Sequence, residues 1–389
     1  MLWDQYVFRR GDEVSELWED LFQGREMRVL YITGRGFDSR APLVLRKLLS
    51  HLDPQRSNIS MATLLLVSFS GYELTEELRL ETDVNGRELE DLFRSLGNIE
   101  NEAVGLTAEG DEDFTPFHHL REGIARILAR LDGYTDVILD VSSLPRVLYV
   151  TLITAVLEKL VPDCGAPNCL AANGVNFQIL VAEDAQLDAR IRSDDPKSEL
   201  VTIPGFSSGL QLESTREWPS VWIPVLGEGR TGQLERIIGA IPEDAEVCPV
   251  VPSPSKDPRR GDRLLLEYRE SLFQRMQTPK NNVLYASEAN PFESYRQIHG
   301  AIDRYRKSLS MLGGVRFIVT PLSSKLMTIG VSLACFELRP RGAQASHSIA
   351  IPYAEPSRYS ADVRDLRQSR PELAALVLTG LAYSLAHVN

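Results

Sequence analysis

Cysteine is scarce in this 389-residue chain. The four present, Cys164, Cys169, Cys248 and Cys335, are too few and too scattered for a disulfide framework, which points to a reducing compartment. Cys164 and Cys169 bracket Gly-Ala-Pro-Asn with no histidine nearby, so no zinc ligand set is read there and no metal is expected. Apolar runs long enough to cross a bilayer are missing, and Met1-Leu-Trp-Asp-Gln has neither the basic nor the apolar region of a signal peptide, so the expectation is a cytoplasmic protein with no membrane partner. Positive charge is in deficit: 42 Lys and Arg stand against 54 Asp and Glu, for a net charge of −12, which argues against general nucleic-acid binding. Histidine is sparse too. None of the six sits in a Gly-x-Ser-x-Gly elbow or a His-Glu-x-x-His pattern. His118 and His119 open a predicted helix, either as an acid or base or as ordinary surface residues. Catalytic residues are therefore left unassigned.

What is present is an ordinary globular composition, 43% hydrophobic and 25% charged, long enough for two domains. From Met27 the pattern alternates: strand 29–33, helix 40–52, strand 62–69, helix 87–96, strand 103–106, helix 116–131, strand 136–141, helix 146–160 and strand 176–181. Near-continuous apolar strands such as Leu64-Leu65-Leu66-Val67 predict a parallel sheet covered on both faces. The order then repeats, with strands at 221–226, 246–251, 282–286, 315–319 and 346–353 and helices at 233–241, 262–276, 291–309 and 325–336.

Five landmarks recur in the same order. Gly34-x-Gly36 matches Gly227-x-Gly229, Leu92-Phe93 matches Leu272-Phe273, and Pro116-Phe117 with Arg121 matches Pro291-Phe292 with Arg296. Arg146 after a serine loop matches Lys325 after a serine loop, and Ala182-Glu183 matches Ala354-Glu355. The expected fold class is α/β: two tandem Rossmann-like doubly wound parallel-sheet domains related by internal duplication. Residues 27–184 and 220–358 form the domains, 1–26 a helical extension, 185–219 a connector with at least one extra strand, and 359–389 a helical segment. In that last segment Ser369-Arg-Pro-Glu372 has capping-box form before the apolar run 373–386. The amphipathic stretch 12–22 and this tail are read as packing helices or as docking sites for a protein partner or a second copy.

In open parallel sheets ligands bind beyond the carboxyl ends of the strands. There stand Gly36 and Arg40 after the first strand, Ser143 and Arg146 after the fourth, and in the second half Gly229, Arg230, Glu288, Ser323, Ser324, Lys325 and Glu355. Glycine turns, hydroxyls and a cation at a helix amino terminus suit an anion, although tight turns and serine caps account for the same residues. An acidic residue for the ribose of a dinucleotide is missing after both second strands, at Ser68-Phe69-Ser70 and at Pro252-Ser253-Pro254-Ser255-Lys256. Ordinary NAD binding is thereby disfavoured, while Ser253, Ser255, Lys256, Arg259 and Arg260 suit a phosphate.

Gly34–Arg40 after its strand, and Ile138-Leu-Asp140-Val-Ser-Ser-Leu-Pro-Arg146 before an apolar helix, resemble the CARF-type Rossmann domains, ligand sensors of prokaryotic defence systems. The second stretch is similar to that family's Asp-x-Thr-Gly-Gly-Thr-Lys loop, with Ser143 and Leu144 in place of the glycines. The resemblance implies binding of a nucleotide second messenger, such as a cyclic oligoadenylate, between two sensor lobes in antiviral defence. No nuclease or HEPN-like motif follows. The reading is a sensor or regulatory protein for a nucleotide or small phosphorylated ligand, with no fixed cofactor. The alternatives are an enzyme on nucleotides or sugar phosphates using Glu288 or Glu355 as base, and a non-catalytic scaffold subunit.

Overall fold

The structure, a computed structural model, describes residues 1–52, 58–105, 118–206, 217–341 and 345–384. Thr115, Pro116 and Phe117, the expected start of a helix, lie outside the described residues. The chain divides into two compact units. Unit 1 comprises Met1–Ser193 and Arg358–Asn389, and unit 2 comprises Asp194–Ser357.

Unit 1 is built on β1 (Val7–Arg10), β2 (Glu26–Gly34), β3 (Asn58–Ser70), β4 (Glu73–Leu74), β5 (Asn98–Gly105), β6 (Asp136–Asp140) and β7 (Asn176–Glu183). β8 (Arg192–Thr202) leaves it. Its helices are α1 (Glu13–Phe22), α2 (Arg40–Leu49), α3 (Glu76–Phe93), α4 (His118–Ala129), α5 (Arg146–Leu160) and α6 (Ala185–Arg190). Unit 2 holds β9 (Ser220–Val225), β10 (Glu246–Val247), β11 (Val250–Pro252), β12 (Leu284–Ala286), β13 (Val315–Pro321) and β14 (His347–Ala350). Its helices are α7 (Thr231–Ile238), α8 (Arg260–Glu267), which runs on into a π-helical turn at Arg269–Arg275, α9 (Pro291–Ser308) and α10 (Lys325–Glu337). β15 (Pro352–Ser360) carries the chain back to unit 1, which ends with α11 (Val363–Gln368) and β16 (Glu372–Thr379).

The seven-stranded sheet of unit 1 has the order β1-β16-β7-β6-β2-β3-β5. Five of these strands, β5, β3, β2, β6 and β7, run parallel, and β16 and β1 add an antiparallel margin. Unit 2 has the order β12-β11-β9-β13-β14, all parallel, with β10 also pairing to β9. In each unit the first parallel strand therefore lies in the middle, with the second and third on one side and the fourth and fifth on the other. Burial on both faces explains the continuous apolar runs: Leu64, Leu65 and Leu66 in β3, and Val221, Trp222 and Ile223 in β9, are wholly inaccessible. The helix after the fourth strand, α5 or α10, is apolar nearly all round and buried along its length.

The tail corrects the sequence expectation. Residues 372–379 form a strand, β16, rather than the start of a helix, and it inserts between β7 and β1 with Leu376 opposite Ile179 and Phe8. A run apolar at six successive positions, Leu373–Leu378, fits a doubly covered strand as well as a buried helix, and the open hydrogen-bonding edge of β7 decides between them. The stretch at the other end does form a helix, α1, but Val14, Leu17, Trp18, Leu21 and Phe22 are buried in unit 1, and Trp18 donates its indole N–H to Gln178 Oε1 at 3.2 Å. Of the two readings left open for the terminal segments, the described residues of α1 and β16 follow the first: they pack within unit 1.

Leu376 is wholly buried in the middle of β16. Leu376→Ala is expected to destabilise the protein by about 2–5 kcal/mol, the usual cost of a large-to-small change in a closed core. A urea midpoint equal to that of the parent protein would show that β16 does not carry the unit.

Candidate functional site

The reversal of strand order in unit 1 falls between β2 and β6, where Thr33 pairs with Asp140. Beyond these residues the two strands run into loops that touch. A Cβ on Gly34 would stand 2.8 Å from Leu144 Cδ2 and 2.9 Å from Ser143 Oγ, and one on Gly36 would stand 3.1 Å from the Ser143 carbonyl oxygen. Here the glycines serve the close approach of the two loops. Ser143 Oγ donates to the Gly34 carbonyl at 2.8 Å, and Asn85 Nδ2 donates to the Gly36 carbonyl at 3.1 Å.

Asp140 fixes this meeting point. The carboxylate is wholly buried and accepts from Tyr31 Oη at 3.0 Å, Thr33 Oγ1 at 3.2 Å and the Ser142 amide at 2.9 Å. Burial, and then the neighbouring Asp140 charge, raise the Tyr31 phenol well above its ordinary range, so it stays a donor. Ser142 Oγ in turn accepts from the Ala182 amide at 2.9 Å, tying the loop to the end of β7. Directly beyond, α5 begins. Its N-cap is Pro145, whose side chain has no acceptor to satisfy the first-turn amides, and half-buried Arg146 is its first residue.

Arg40 is not an open cation. It is 1% exposed, donates to both oxygens of Asp38 at 2.6–3.0 Å and to the Ala182 carbonyl at 3.3 Å, and pairs with Asp188 at 2.8 Å. Burial works to lower its pKa, but Asp38 and Asp188 outweigh that and hold it above its ordinary value. Its role is to pin the start of α2 to β7 and α6.

Unit 2 repeats the loop contact with different chemistry. A Cβ on Gly227 would stand 2.3 Å from the Leu322 carbonyl oxygen and 2.9 Å from Ser323 Cα. Gly229 adopts φ +68°, the left-handed conformation that glycine takes without strain. The amides of this turn are engaged by the chain itself. Gly229 N–H donates to Glu267 Oε1 at 2.9 Å, Thr231 Oγ1 lies 3.2 Å from the same oxygen, and Arg230 N–H donates to Tyr268 Oη at 3.3 Å. Tyr268 Oη donates to the Gly227 carbonyl at 2.5 Å, and burial followed by the Glu267 charge raises its pKa. The turn thus already binds an anion, and that anion is the exposed Glu267 carboxylate.

The neighbouring basic loop is compensated in the same way. Arg260 pairs with buried Glu288, which also accepts from the Lys256 amide at 2.7 Å, and Arg263 pairs with Glu228 at 3.0 Å and with Asp257 at 2.5 Å. The hydrogen bond from Arg263, then that from the Arg259 amide, hold the Asp257 carboxyl below its usual range.

Other expected ligand residues are turned inward. Ser323 is buried with its hydroxyl 3.0 Å from Met327 Sδ, and Glu355 is wholly inaccessible inside β15. Ser324 caps α10, accepting from the Met327 amide at 3.3 Å, with half-buried Lys325 next to it. The structure therefore brings Gly36, Ser143 and Arg146 together at one reversal point, and Gly227, Ser323, Ser324 and Lys325 at the other. It assigns Arg40, Ser323 and Glu288 to internal contacts, and buries Glu355. Asp188, Glu267 and Tyr268 escaped the sequence reading because no local motif marks them: each acts on residues 36 or more positions away in sequence.

Asp38→Asn leaves Arg40 buried with half its compensation and is expected to cost about 3 kcal/mol or more in stability. A denaturation midpoint that stays put would remove Arg40 from its structural role and return it to the ligand candidates.

No family model and no curated protein matches the chain. Among solved structures it is similar to one described as a universal stress protein from Pseudomonas aeruginosa UCBPP-PA14, at 12% identity and a TM-score of 0.22 over 85% of this chain and 94% of that one. A functionally unknown protein from Pseudomonas aeruginosa PAO1 matches at 11% identity and a TM-score of 0.20, over 85% and 93%. Superpositions this loose transfer neither ligand nor activity, and the function rests on the residues.

Proposed function

We propose that the chain is a tandem Rossmann-like sensor or regulatory protein whose two units descend from one duplicated module, and that it binds a nucleotide or other phosphorylated ligand beyond the carboxyl ends of its parallel strands. The observation that carries this reading is the start of α5. A long buried helix opens at the reversal point of a parallel sheet, behind a proline N-cap with no side-chain acceptor, with Arg146 at its first position and Ser143 beside it. First-turn amides and the helix dipole favour an anion there, and an arginine adds charge and a forked donor suited to phosphate.

The proposed ligand residues are Gly36, Ser143 and Arg146 in unit 1, with Gly229, Arg230, Ser324 and Lys325 at the equivalent place in unit 2. The shared strand order and the repeated contact of a glycine loop on a serine loop support the duplication. Glu288 is buried and already engaged by Arg260 and the Lys256 amide, which leaves it poorly placed to reach a substrate proton, so a sensor is preferred to an enzyme. Defence against viruses is the setting that the likeness of the Asp140–Arg146 loop suggests.

A ligand selective for the folded state raises stability by about 2.7 kcal/mol at a hundred times its Kd. A thermal-shift panel of inorganic phosphate, mononucleotides and cyclic oligonucleotides is expected to yield at least one stabilising compound. Arg146→Ala should abolish that shift if unit 1 holds the ligand, and Lys325→Ala if unit 2 does. In the latter case Glu267→Gln should enlarge it by removing the internal competitor. No shift with any anion, or a shift indifferent to both cations, would overturn the proposal.

A further inference from the structure

His118, His119 and Glu122 occupy the first turn of α4, the helix that follows β5 at the margin of the unit 1 sheet. At about 100° per residue, Glu122 projects about 40° from His118 and about 60° from His119, between the two imidazoles. The packed face of α4 lies elsewhere: Leu120, Gly123, Ile124 and Ile127 are buried, with Gly123 against the Val104 side chain. Among the described residues, that packed face does not include the trio.

Their spacing is the informative feature. His118 Nδ1 lies 3.6 Å from Glu122 Oε1 and His119 Nδ1 lies 3.9 Å from Glu122 Oε2, both too long for hydrogen bonds. One ligand atom from each of the three residues falls within 4.8 Å of the others. Donors bound to one tetrahedral zinc at bonds of 2.0–2.1 Å are about 3.3 Å apart, so small side-chain rotations bring all three onto one ion. The rings stand edge to face, 79° apart with centroids at 5.7 Å.

We infer that His118, His119 and Glu122 form a site for a divalent transition-metal ion of the zinc class. Two imidazoles and one carboxylate match the ligand preferences of Zn2+, Ni2+ and Cu2+ and not those of Mg2+ or Ca2+, which take oxygen donors. Three protein ligands leave an open position for water or an oxygen of a small molecule. The site shares no residue with the reversal-point crevices, so it stands or falls independently of the nucleotide reading.

The test uses the full chain stripped with a chelator. Co2+ titration followed by visible absorption, then Zn2+ displacement followed by calorimetry, is expected to show one ion bound per chain, with Mg2+ silent. His119→Ala and Glu122→Gln are each expected to weaken Zn2+ binding by about tenfold or more, with unchanged far-ultraviolet circular dichroism. Cys164→Ser with Cys169→Ser should leave it unaltered. No Zn2+ binding, or binding that follows the cysteines and ignores His119, would overturn the assignment.

Discussion

A buried carboxylate at the end of β6 sets the geometry on which unit 1 depends. Asp140 is removed from water, which costs several kcal/mol unless its oxygens are satisfied, and three donors, two from β2 and one from the loop after β6, satisfy them. Those bonds hold β2 and β6 in register at their ends and orient Ser142, which reaches across to the end of β7. Ser143 then has one place to go, against Gly34 and Gly36, and α5 must begin where it does. The position of Arg146 follows from hydrogen bonds several residues away, so on the proposed reading a ligand would meet a cation and a helix terminus already in place, with little ordering left to do.

The two units solve the same problem differently. Each sheet reverses its strand order beside a pair of touching loops, and each places an apolar helix directly beyond. Unit 1 leaves the amino end of that helix without a side-chain cap, whereas unit 2 supplies Ser324. Around the glycine turn the contrast sharpens. In unit 1 Gly36 faces a loop backbone, while in unit 2 the turn is closed by Glu267 and Tyr268 and the cations beyond it are matched by Glu228, Asp257 and Glu288. Unit 2 is thus the more self-contained.

Much of this was legible in the sequence, for identifiable reasons. A strand buried on both faces must be apolar at successive positions, so β3, β6, β9 and β13 announced themselves, and the charged or amphipathic stretches between them marked helices. The loops after the first and fourth strands stood out because glycines and serines there mark the breaks between apolar strands and the helices that follow. The tail was misread because Leu373–Leu378 satisfies two structures equally and Ser369–Glu372 imitates a helix cap; only the free edge of β7 makes it a strand. Arg40 was misread because a basic residue at a helix start looks the same whether it faces solvent or Asp188, 148 residues on. Charge compensation is a tertiary property, and the sequence lists cations without saying which are already matched.

That distinction bears on selectivity. A carboxylate tethered within the same unit acts at an effective concentration in the millimolar range or above, so a weak monovalent anion gains little by replacing Glu267 at the unit 2 turn. A phosphoryl group brings more charge and a third acceptor oxygen, enough to engage the Gly229 and Arg230 amides and a neighbouring cation together. When it does, Glu267 is released to water, where an exposed carboxylate is well solvated and pays no desolvation cost. On the proposed reading the internal anion would act as a threshold, holding the turn in place while unliganded and favouring ligands whose charge and shape exceed its own.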